Sequence, residues 1–339
     1  HQKNAVSFQI GRNAVISQHI GDLETEPAFE AFKESISSLQ ALYEAEPNKI
    51  ICDLHPEYLS TKHAFESKLK VEQVQHHHAH VASCMAENEL TGDVLGVAWD
   101  GTGAGPDGTI WGGEFLVGNP LKMSRISHFR SFKLPGGGQA IKEPRRTALG
   151  VLFEIFGEQL FEMSHLKPVS AFEVNGGKVI CQMLKKGFNS PVTSSAGRLF
   201  DAVSSIIGLK QIASFEGQGA MELEFLLNEK RCQESYSFHL NDFVDWEPMI
   251  QGIIMDLEAQ IDFNSISAKF HNTMVEIIVA VAKKVKREKV VLSGGCFQNR
   301  YLTERTIDRL RETGFKPYWH QRVPPNDGGI ALGQLYARA

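Results

Sequence analysis

The sequence has 339 residues, a formal net charge of −5, 42% hydrophobic and 22% charged residues. These values exclude a disordered chain, a collagen-like repeat and a coiled-coil array, and a chain of this length divides its core between two domains or lobes. The mild acidity argues against a general nucleic-acid binder, which needs clustered Lys and Arg to meet phosphates.

The most apolar stretch, Ile277 to Val281, follows Glu276 and runs into Lys283 and Lys284. It falls well short of the roughly 18–20 residues a transmembrane helix needs. The first residues are polar, so no secretory leader is expected. Five scattered cysteines, with no Cys-x-x-Cys, suit a reducing compartment better than a disulfide framework. The expectation is a cytoplasmic protein without membrane or nucleic-acid partners.

In chain order, Val6, Phe8 and Ile10 alternate before a Gly11-Arg12-Asn13 turn, and Val15 and Ile16 follow it, predicting two strands that pair as a hairpin. Phe29, Phe32, Ile36, Leu39 and Leu42 predict an amphipathic helix ended at Pro47. Lys49 to Leu54 reads as a buried strand, Tyr58 to Leu69 as helix, Val71 to Gln75 as extended, and His76 to Leu90 as helix. A second lobe is expected from Asp93, with a strand at Val94 to Asp100, a glycine-rich turn at Gly101 to Gly108 and a returning strand at Ile110 to Val117. Residues 141–227 read as helical, broken at Gly176-Gly177, at Ser194 to Gly197 and at Glu216 to Gly219. Arg231 to Phe263 has no clear periodicity.

The end is plainer. Phe270, Met274, Ile277, Ile278, Val281 and Val285 form one helix face, and Val290 to Leu292 is a strand leading into Ser293-Gly294-Gly295. A helix from about Asn299 to Thr313, a strand at Phe315 to Trp319 and a last helix from Ile330 to Arg338 follow. The lobes are therefore expected at residues 1–92 and 93–325, with residues 326–339 packing back on the first. The alternation of strands and helices predicts an α/β class.

The segment Gln75-His76-His77-His78-Ala79-His80 carries the strongest chemistry. On a helix, His76 and His80 share one face and can chelate a metal. His77 stands where a zinc protease needs Glu, and a polar helix start with solvated histidines is the competing reading. Two imidazoles need carboxylates from elsewhere, and Asp100 and Asp327, each beside glycine, could supply them or simply serve turns and caps. Two His and two Asp would make a site for iron or another divalent ion.

Ser293-Gly294-Gly295, between a strand and a helix, lets backbone N–H groups approach phosphate. Neither a Walker loop nor a dinucleotide fingerprint is present. Asp201, which follows Gly197 at a helix start, and Glu222, which follows Gly217, could hold ribose hydroxyls or act as ordinary caps. No Gly-x-Ser-x-Gly and no cysteine in a nucleophile context occurs.

The ordered set resembles one family. His76-His77-His78-Ala79-His80, Trp99-Asp100-Gly101-Thr102-Gly103, Leu134-Pro135-Gly136-Gly137, Ser195-Ala196-Gly197-Arg198-Leu199-Phe200-Asp201, Ser293-Gly294-Gly295-Cys296-Phe297-Gln298-Asn299 and Pro325-Asn326-Asp327-Gly328-Gly329 follow one another. Together with Cys52-Asp53-Leu54-His55-Pro56, they resemble the C-terminal part of the HypF carbamoyltransferases of nickel–iron hydrogenase maturation. More distantly the pattern is similar to tRNA threonylcarbamoyl-adenosine transferases and antibiotic O-carbamoyltransferases. That resemblance implies two ribonuclease-H-like lobes of the actin-like ATPase (ASKHA) fold.

It implies His76, His80, Asp100 and Asp327 as metal ligands, for iron or zinc, with magnesium accompanying the nucleotide. Gly294, Gly295 and Asn299 would hold the adenylate, Asp201 the ribose, and Gly217 and Glu222 further parts of the nucleotide. His55, His77 and Lys142 would contact carbamoyl or phosphate. The reaction implied is carbamoyl transfer from carbamoyl-adenylate, made with ATP, to the C-terminal cysteine of a HypE-like partner, with other maturation proteins as further partners. The acylphosphatase-like, zinc-finger-like and adenylate-forming domains of the family lie outside this sequence, so the last domain alone is expected. A small-molecule O-carbamoyltransferase and a nucleotide-dependent scaffold are the alternatives.

Overall fold

The computed structural model describes residues 4–227 and 232–338. Short β-prone runs and amphipathic stretches alternate from the start. They give β1 (Ser7–Ile10), β2 (Asn13–Ile16), α1 (Glu26–Leu42), β3 (Lys49–Asp53), α2 (Leu59–Glu66), β4 (Lys70–Val74) and α3 (His76–Glu87). β1 and β2 form the expected hairpin, antiparallel with Ser7 opposite Ile16. β3 and β4 run parallel with Lys49 opposite Lys70, and α2 makes the crossover. The two pairs are separate two-stranded sheets.

The second half is larger. It comprises β5 (Val94–Ala104), β6 (Ile110–Asn119), β7 (Lys122–His128), β8 (Phe132–Lys133), α4 (Gly138–Lys142), α5 (Pro144–Phe156), α6 (Lys167–Ser170), α7 (Val174–Lys186), β9 (Val192–Thr193), α8 (Ala196–Ile206) and α9 (Gln218–Phe225). Then come β10 (His239–Leu240), β11 (Val244–Asp245), α10 (Glu247–Glu258), α11 (Phe263–Val285), β12 (Lys289–Ser293), α12 (Arg300–Glu312), β13 (Lys316–Tyr318) and α13 (Ile330–Tyr336). Its central sheet runs β13-β12-β5-β6, with β7 on the far edge of β6. β5 is antiparallel to β6 and parallel to β12. A hairpin followed by two parallel strands, with the first strand at the centre, is the ribonuclease-H-like order.

Several expectations are corrected. Asp100 does not close a strand: β5 continues to Ala104 across an irregularity between Trp99 and Gly103, and the turn is confined to residues 105–109. Gly176-Gly177 lies inside α7, where neither residue needs a positive φ and the buried Ile180 and Leu184 hold the helix down. Gly217, inside the expected break at Glu216 to Gly219, is the left-handed N-cap of α9. Strands β7, β8 and β9 lie where no strand was expected. Of the ambiguous segment, Arg231 lies outside the described residues, and the rest holds β10, β11 and α10.

The main core lies between the central sheet and α5, α8, α10 and α11, with Trp99, Phe115, Phe132, Phe200 and Phe270 buried in it. Burying a side chain of this kind contributes about 1.5–3 kcal/mol, so most apolar stabilisation sits in the second half. The first half has a thin core of Val74, Ala79, Ala82, Ile330 and Ala337, the last two from α13 and the residue that follows it. The last helix thus returns to the first half and seats on α3, β1 and β3. Gly333 permits this: a Cβ there would lie 1.8 Å from the carbonyl oxygen of Ala79. No helix among the described residues is long and apolar enough to cross a membrane.

Candidate metal and nucleotide site

β4 leads straight into α3, and Gln75 fixes the junction. Its Oε1 accepts the His78 amide at 2.9 Å, capping the helix. Its Nε2 lies 3.1 Å from both His77 Nδ1 and the Ala104 carbonyl. The first turn of α3 is thereby tied to the end of β5, with His76, His77 and His80 buried and the four-residue spacing aiming His76 and His80 at one point.

Asp100 on β5 and Asp327 meet them there. His80 Nε2 lies 3.2 Å from Asp100 Oδ2 and 3.4 Å from Asp327 Oδ1. The matching distances for His76 Nε2 are 3.5 and 3.7 Å. One ligand atom from each residue lies within 4.8 Å of the others. A tetrahedral ion with ligands at 2.0–2.1 Å spaces them about 3.3 Å apart, so these four groups fit a divalent metal. The same group is consistent with five- or six-coordinate ions that add further oxygen ligands.

Asp53, at the end of β3, completes the arrangement. Its Oδ2 lies 2.8 Å from His76 Nδ1, which leaves the Nε2 lone pair facing the cluster when Nδ1 carries the proton. Burial opposes the Asp53 and Asp100 charges, but the neighbouring histidines outweigh it and hold both carboxyls below their ordinary range. Burial likewise opposes protonation of His76 and His80, and the facing carboxylates reverse the balance and raise both. His77 goes the other way, well below its usual value, through burial and the two neighbouring imidazoles. Its Nε2 is buried without a hydrogen-bond partner.

Asp327 is positioned by a chain of contacts. The Asn326 side chain accepts the Gly328 amide at 3.0 Å, and Ser83 Oγ donates to the Gly329 carbonyl at 2.8 Å. Upstream, Glu87 accepts the amides of Gln321, Arg322 and Val323. Glu87 also meets His320 Nδ1 at 3.1 Å, while His320 Nε2 lies 2.9 Å from Ser293 Oγ. The loop carrying Asp327 is thus pinned to α3 and to the start of the glycine turn.

That turn adjoins the cluster. The Gly295 amide donates to Asp100 Oδ1 at 3.0 Å. Gly294 has φ +103, and a Cβ there would lie 2.2 Å from the Trp99 carbonyl oxygen. Its glycine requirement is therefore met by contact with β5, whatever the turn binds. Asn299 caps α12 by accepting the Leu302 amide at 2.8 Å, and its Nδ2 donates to His271 Nε2 at 2.9 Å. Asp201 is buried on α8, 3.0 Å from Arg198 Nη1; burial pushes its carboxyl up to about 6 against the pull of Arg198. Glu222 is engaged by Lys210 and Gln218, each at 2.8 Å.

Two expected contacts stand apart from the cluster. His55 stacks on Tyr58 with ring centres 4.2 Å apart and donates its backbone amide to Asp53 Oδ1. Lys142 is exposed at the end of α4 and makes no hydrogen bond or ion pair with the four ligands. The sequence reading gave no role to Asp53, Glu87, His271 or His320. Only Asp53 carried a signal, through its place beside His55 in the Cys52-to-Pro56 segment.

Two α/β halves packed together through α3, with the ribonuclease-H-like strand order in the second, define the actin-like ATPase class. Comparison with known proteins gives the branch. A HypF Kae1-like domain model matches residues 1–87, and the second subdomain of the carbamoyltransferase Kae1-like domain matches residues 96–334. The chain is 42% identical to carbamoyltransferase HypF of Synechocystis sp., covering 100% of this chain and 46% of that protein. It is 36% identical to carbamoyltransferase HypF of Rhizobium leguminosarum over 99% of this chain and 44% of that one. A HypF homolog from Cupriavidus necator, 32% identical, is matched over 89% of its own length. The crystal structure of full-length HypF in its phosphate- and nucleotide-bound form superposes with TM-score 0.93 at 41% identity, over 99% of this chain and 53% of that one. The HypF of T. kodakarensis superposes with TM-score 0.88 at 27% identity, over 99% of this chain and 46% of that one. The chain belongs to the HypF family, in the region of its C-terminal Kae1-like domain, and spans less than half the length of the Synechocystis and Rhizobium relatives.

Proposed function

We propose that this chain is the transfer module of a HypF-type carbamoyltransferase. It moves a carbamoyl group from carbamoyl-adenylate to the C-terminal cysteine thiol of a HypE-like acceptor, a step toward the cyanide ligands of nickel–iron hydrogenase. The observation that carries the reading is the contact of the Gly295 amide with Asp100 at 3.0 Å, which joins a phosphate-type turn to a metal-type cluster. The full-length HypF structure with phosphate and nucleotide supports the nucleotide.

In this reading His76, His80, Asp100 and Asp327 hold iron or zinc, and magnesium accompanies the nucleotide. The metal would supply Lewis acidity toward the carbamoyl oxygen. Gly294, Gly295 and Asn299 receive the adenylate, Asp201 the ribose, and Gly217 and Glu222 border the nucleotide. The thiolate attacks the carbamoyl carbon, the new S–C bond forms, and the bond to the phosphate oxygen breaks as AMP leaves with the electron pair. His77, neutral through burial, would exchange a proton beside the cluster, and His55 and Lys142 would approach the carbamoyl or phosphate groups once substrate is bound. No nucleophile from the chain is needed. The five free cysteines accord with a reducing cytosol, where an acceptor thiol persists. The remainder of a longer HypF chain would make the adenylate, and other maturation proteins would use the product.

The test supplies carbamoyl-adenylate and an acceptor ending in cysteine, read by mass spectrometry. Wild type should carbamoylate that thiol, and Asp327→Ala should lose about 100-fold or more in rate as the metal's hold weakens. Transfer to a small-molecule hydroxyl alone, or no transfer with nucleotide bound, would replace this reading with an O-carbamoyltransferase or a scaffold.

A further inference from the structure

Gln75 uses both of its amide hydrogens, and that fixes the proton on His77. A glutamine carboxamide has one carbonyl oxygen and two N–H donors. The Oε1 of Gln75 accepts the His78 amide at 2.9 Å, and its Nε2 donates to the Ala104 carbonyl at 3.1 Å. The reverse amide orientation would set N–H against N–H and oxygen against oxygen. The second Nε2 hydrogen is therefore the one that faces His77 Nδ1, also at 3.1 Å. Nδ1 must then accept. An imidazole that accepts at Nδ1 is neutral and carries its hydrogen on Nε2. Turning the ring over would put a carbon against the Gln75 amide, so Gln75 holds the ring's orientation as well as its tautomer.

That Nε2–H is buried and has no hydrogen-bond partner. A buried donor left unmet opposes folding. The ring sits on the flank of the four ligands, its centre 5.2 Å from that of His76, 6.3 Å from that of His80 and 6.0 Å from Trp111. β5 passes so close that a Cβ at Gly103 would lie 2.5 Å from His77 Cε1, the carbon bonded to Nε2. The donor is thus held beside the place where the four ligands converge, with no freedom to turn away.

We propose that His77 Nε2–H donates to an oxygen of the substrate held at this cluster, and that Gln75 is the positioning residue that keeps the hydrogen on that nitrogen. The identity of the oxygen rests on the carbamoyl-transfer reading: it is the carbamoyl carbonyl or the adenylate phosphate. Both gain negative charge as the acceptor attacks and AMP leaves. A fixed donor aimed at such an oxygen stabilises the transition state more than the ground state. The tautomer itself depends on the fold alone.

The test uses NMR of the zinc-loaded chain with isotope-labelled histidine, whose ring nitrogens report the tautomer; the signals lost in His77→Gln assign the ring. Wild type should show Nε2–H. Gln75→Glu should show Nδ1–H, since its carboxylate still accepts the His78 amide but can only accept from His77. The wild-type Nε2–H proton should move downfield with AMP if the oxygen is the phosphate's, and only with carbamoyl-adenylate if it is the carbamoyl's. In transfer assays Gln75→Glu should lose about 10- to 100-fold in kcat/KM with its metal content unchanged. His77→Gln, which keeps an N–H near the Nε2 position, should lose less than His77→Leu. Adding Gln75→Glu to His77→Gln should cost little more, because Gln75 acts through the imidazole. An Nδ1–H tautomer in wild type would overturn the proposal. So would an Nε2–H signal unmoved by either nucleotide, or a Gln75→Glu loss of equal size in the His77→Gln background, since these assign Gln75 and His77 to the fold alone. A signal that AMP shifts in a chain that transfers nothing would keep the donor and sink the carbamoyl-transfer reading instead.

Discussion

Asp100 faces two sites at once: Oδ1 accepts the Gly295 amide at 3.0 Å, and Oδ2 lies 3.2 Å from His80 Nε2. The two functions separate by substitution. Asp100→Asn keeps an oxygen for the Gly295 amide but removes the anionic ligand, while Asp100→Ala removes both. Asn should lose most bound metal and keep AMP affinity within about threefold. Ala should lose metal and also weaken AMP about tenfold, the worth of one well-made hydrogen bond to a charged group. Metal content and calorimetry of the two variants decide it; equal AMP affinity in both would mean that the turn is held independently of Asp100.

Asp53 touches His76 and never the ligand point itself. Asp53→Asn retains a hydrogen-bond acceptor for His76 Nδ1 but loses the charge that makes the imidazole a better donor. Metal affinity should fall 10–100-fold, measured by chelator competition, with little change in melting temperature. His78→Ala provides the contrast. That ring reaches the Pro120 carbonyl at 2.6 Å, outside the cluster, so its loss should leave affinity unchanged, whereas His76→Ala and His80→Ala should abolish tight binding.

Why some of this was legible in the sequence is a matter of range. The histidines of α3 were readable because a four-residue spacing fixes one face of a helix. Asp100 and Asp327 stayed open between ligand and turn until the resemblance singled them out, since nothing local tells a ligand from a turn carboxylate, and Asp100 was placed at a strand end because glycines 101, 103 and 105 read as a turn. β7 was missed because its alternation is inverted: Ile126 is exposed and Arg125 turns toward Glu114 and Trp111. Strands β8 and β9, two residues each, leave no period to detect. Asp53 and His271 act on partners 23 and 28 residues away, separations at which only the tertiary fold sets the pairing.

His271 gives the fold a pH limit. Buried between Ser267 and Asn299, its imidazole is pushed down to about 4 by burial, with the Ser267 carbonyl opposing. An unfolded histidine titrates near 6.5. The folded value is the lower one, so the unfolded chain takes up the proton first and stability is lost as pH falls from about 6.5 toward 4. This group alone should cost about 2 kcal/mol at pH 5 relative to pH 7.5. Urea unfolding at both values should show His271→Gln less pH-sensitive than wild type, though less stable at pH 7.5. An identical pH difference in the two proteins would assign the acid sensitivity to other groups.

The metal site also depends on a residue that carries no functional group. Gly333 lets α13 lie against α3, where a Cβ would fall 1.8 Å from the Ala79 carbonyl oxygen and 2.8 Å from the Ser83 amide nitrogen. Both atoms are backbone, so no rotamer change relieves the contact and α13 must move away. Asp327 stands three residues before α13, in a short turn hydrogen-bonded to Ser83 through Gly329, and would move with it. Gly333→Ala should therefore cost about 1–3 kcal/mol through overpacking and, disproportionately, lower metal affinity. Ala337→Gly, which thins the same seam without forcing the helices apart, should reduce stability while sparing the metal. Melting temperature and metal affinity measured on both variants separate the two effects. If Gly333→Ala and Ala337→Gly change metal affinity in the same proportion to their stability losses, the site responds to stability alone and α13 does not set the position of Asp327.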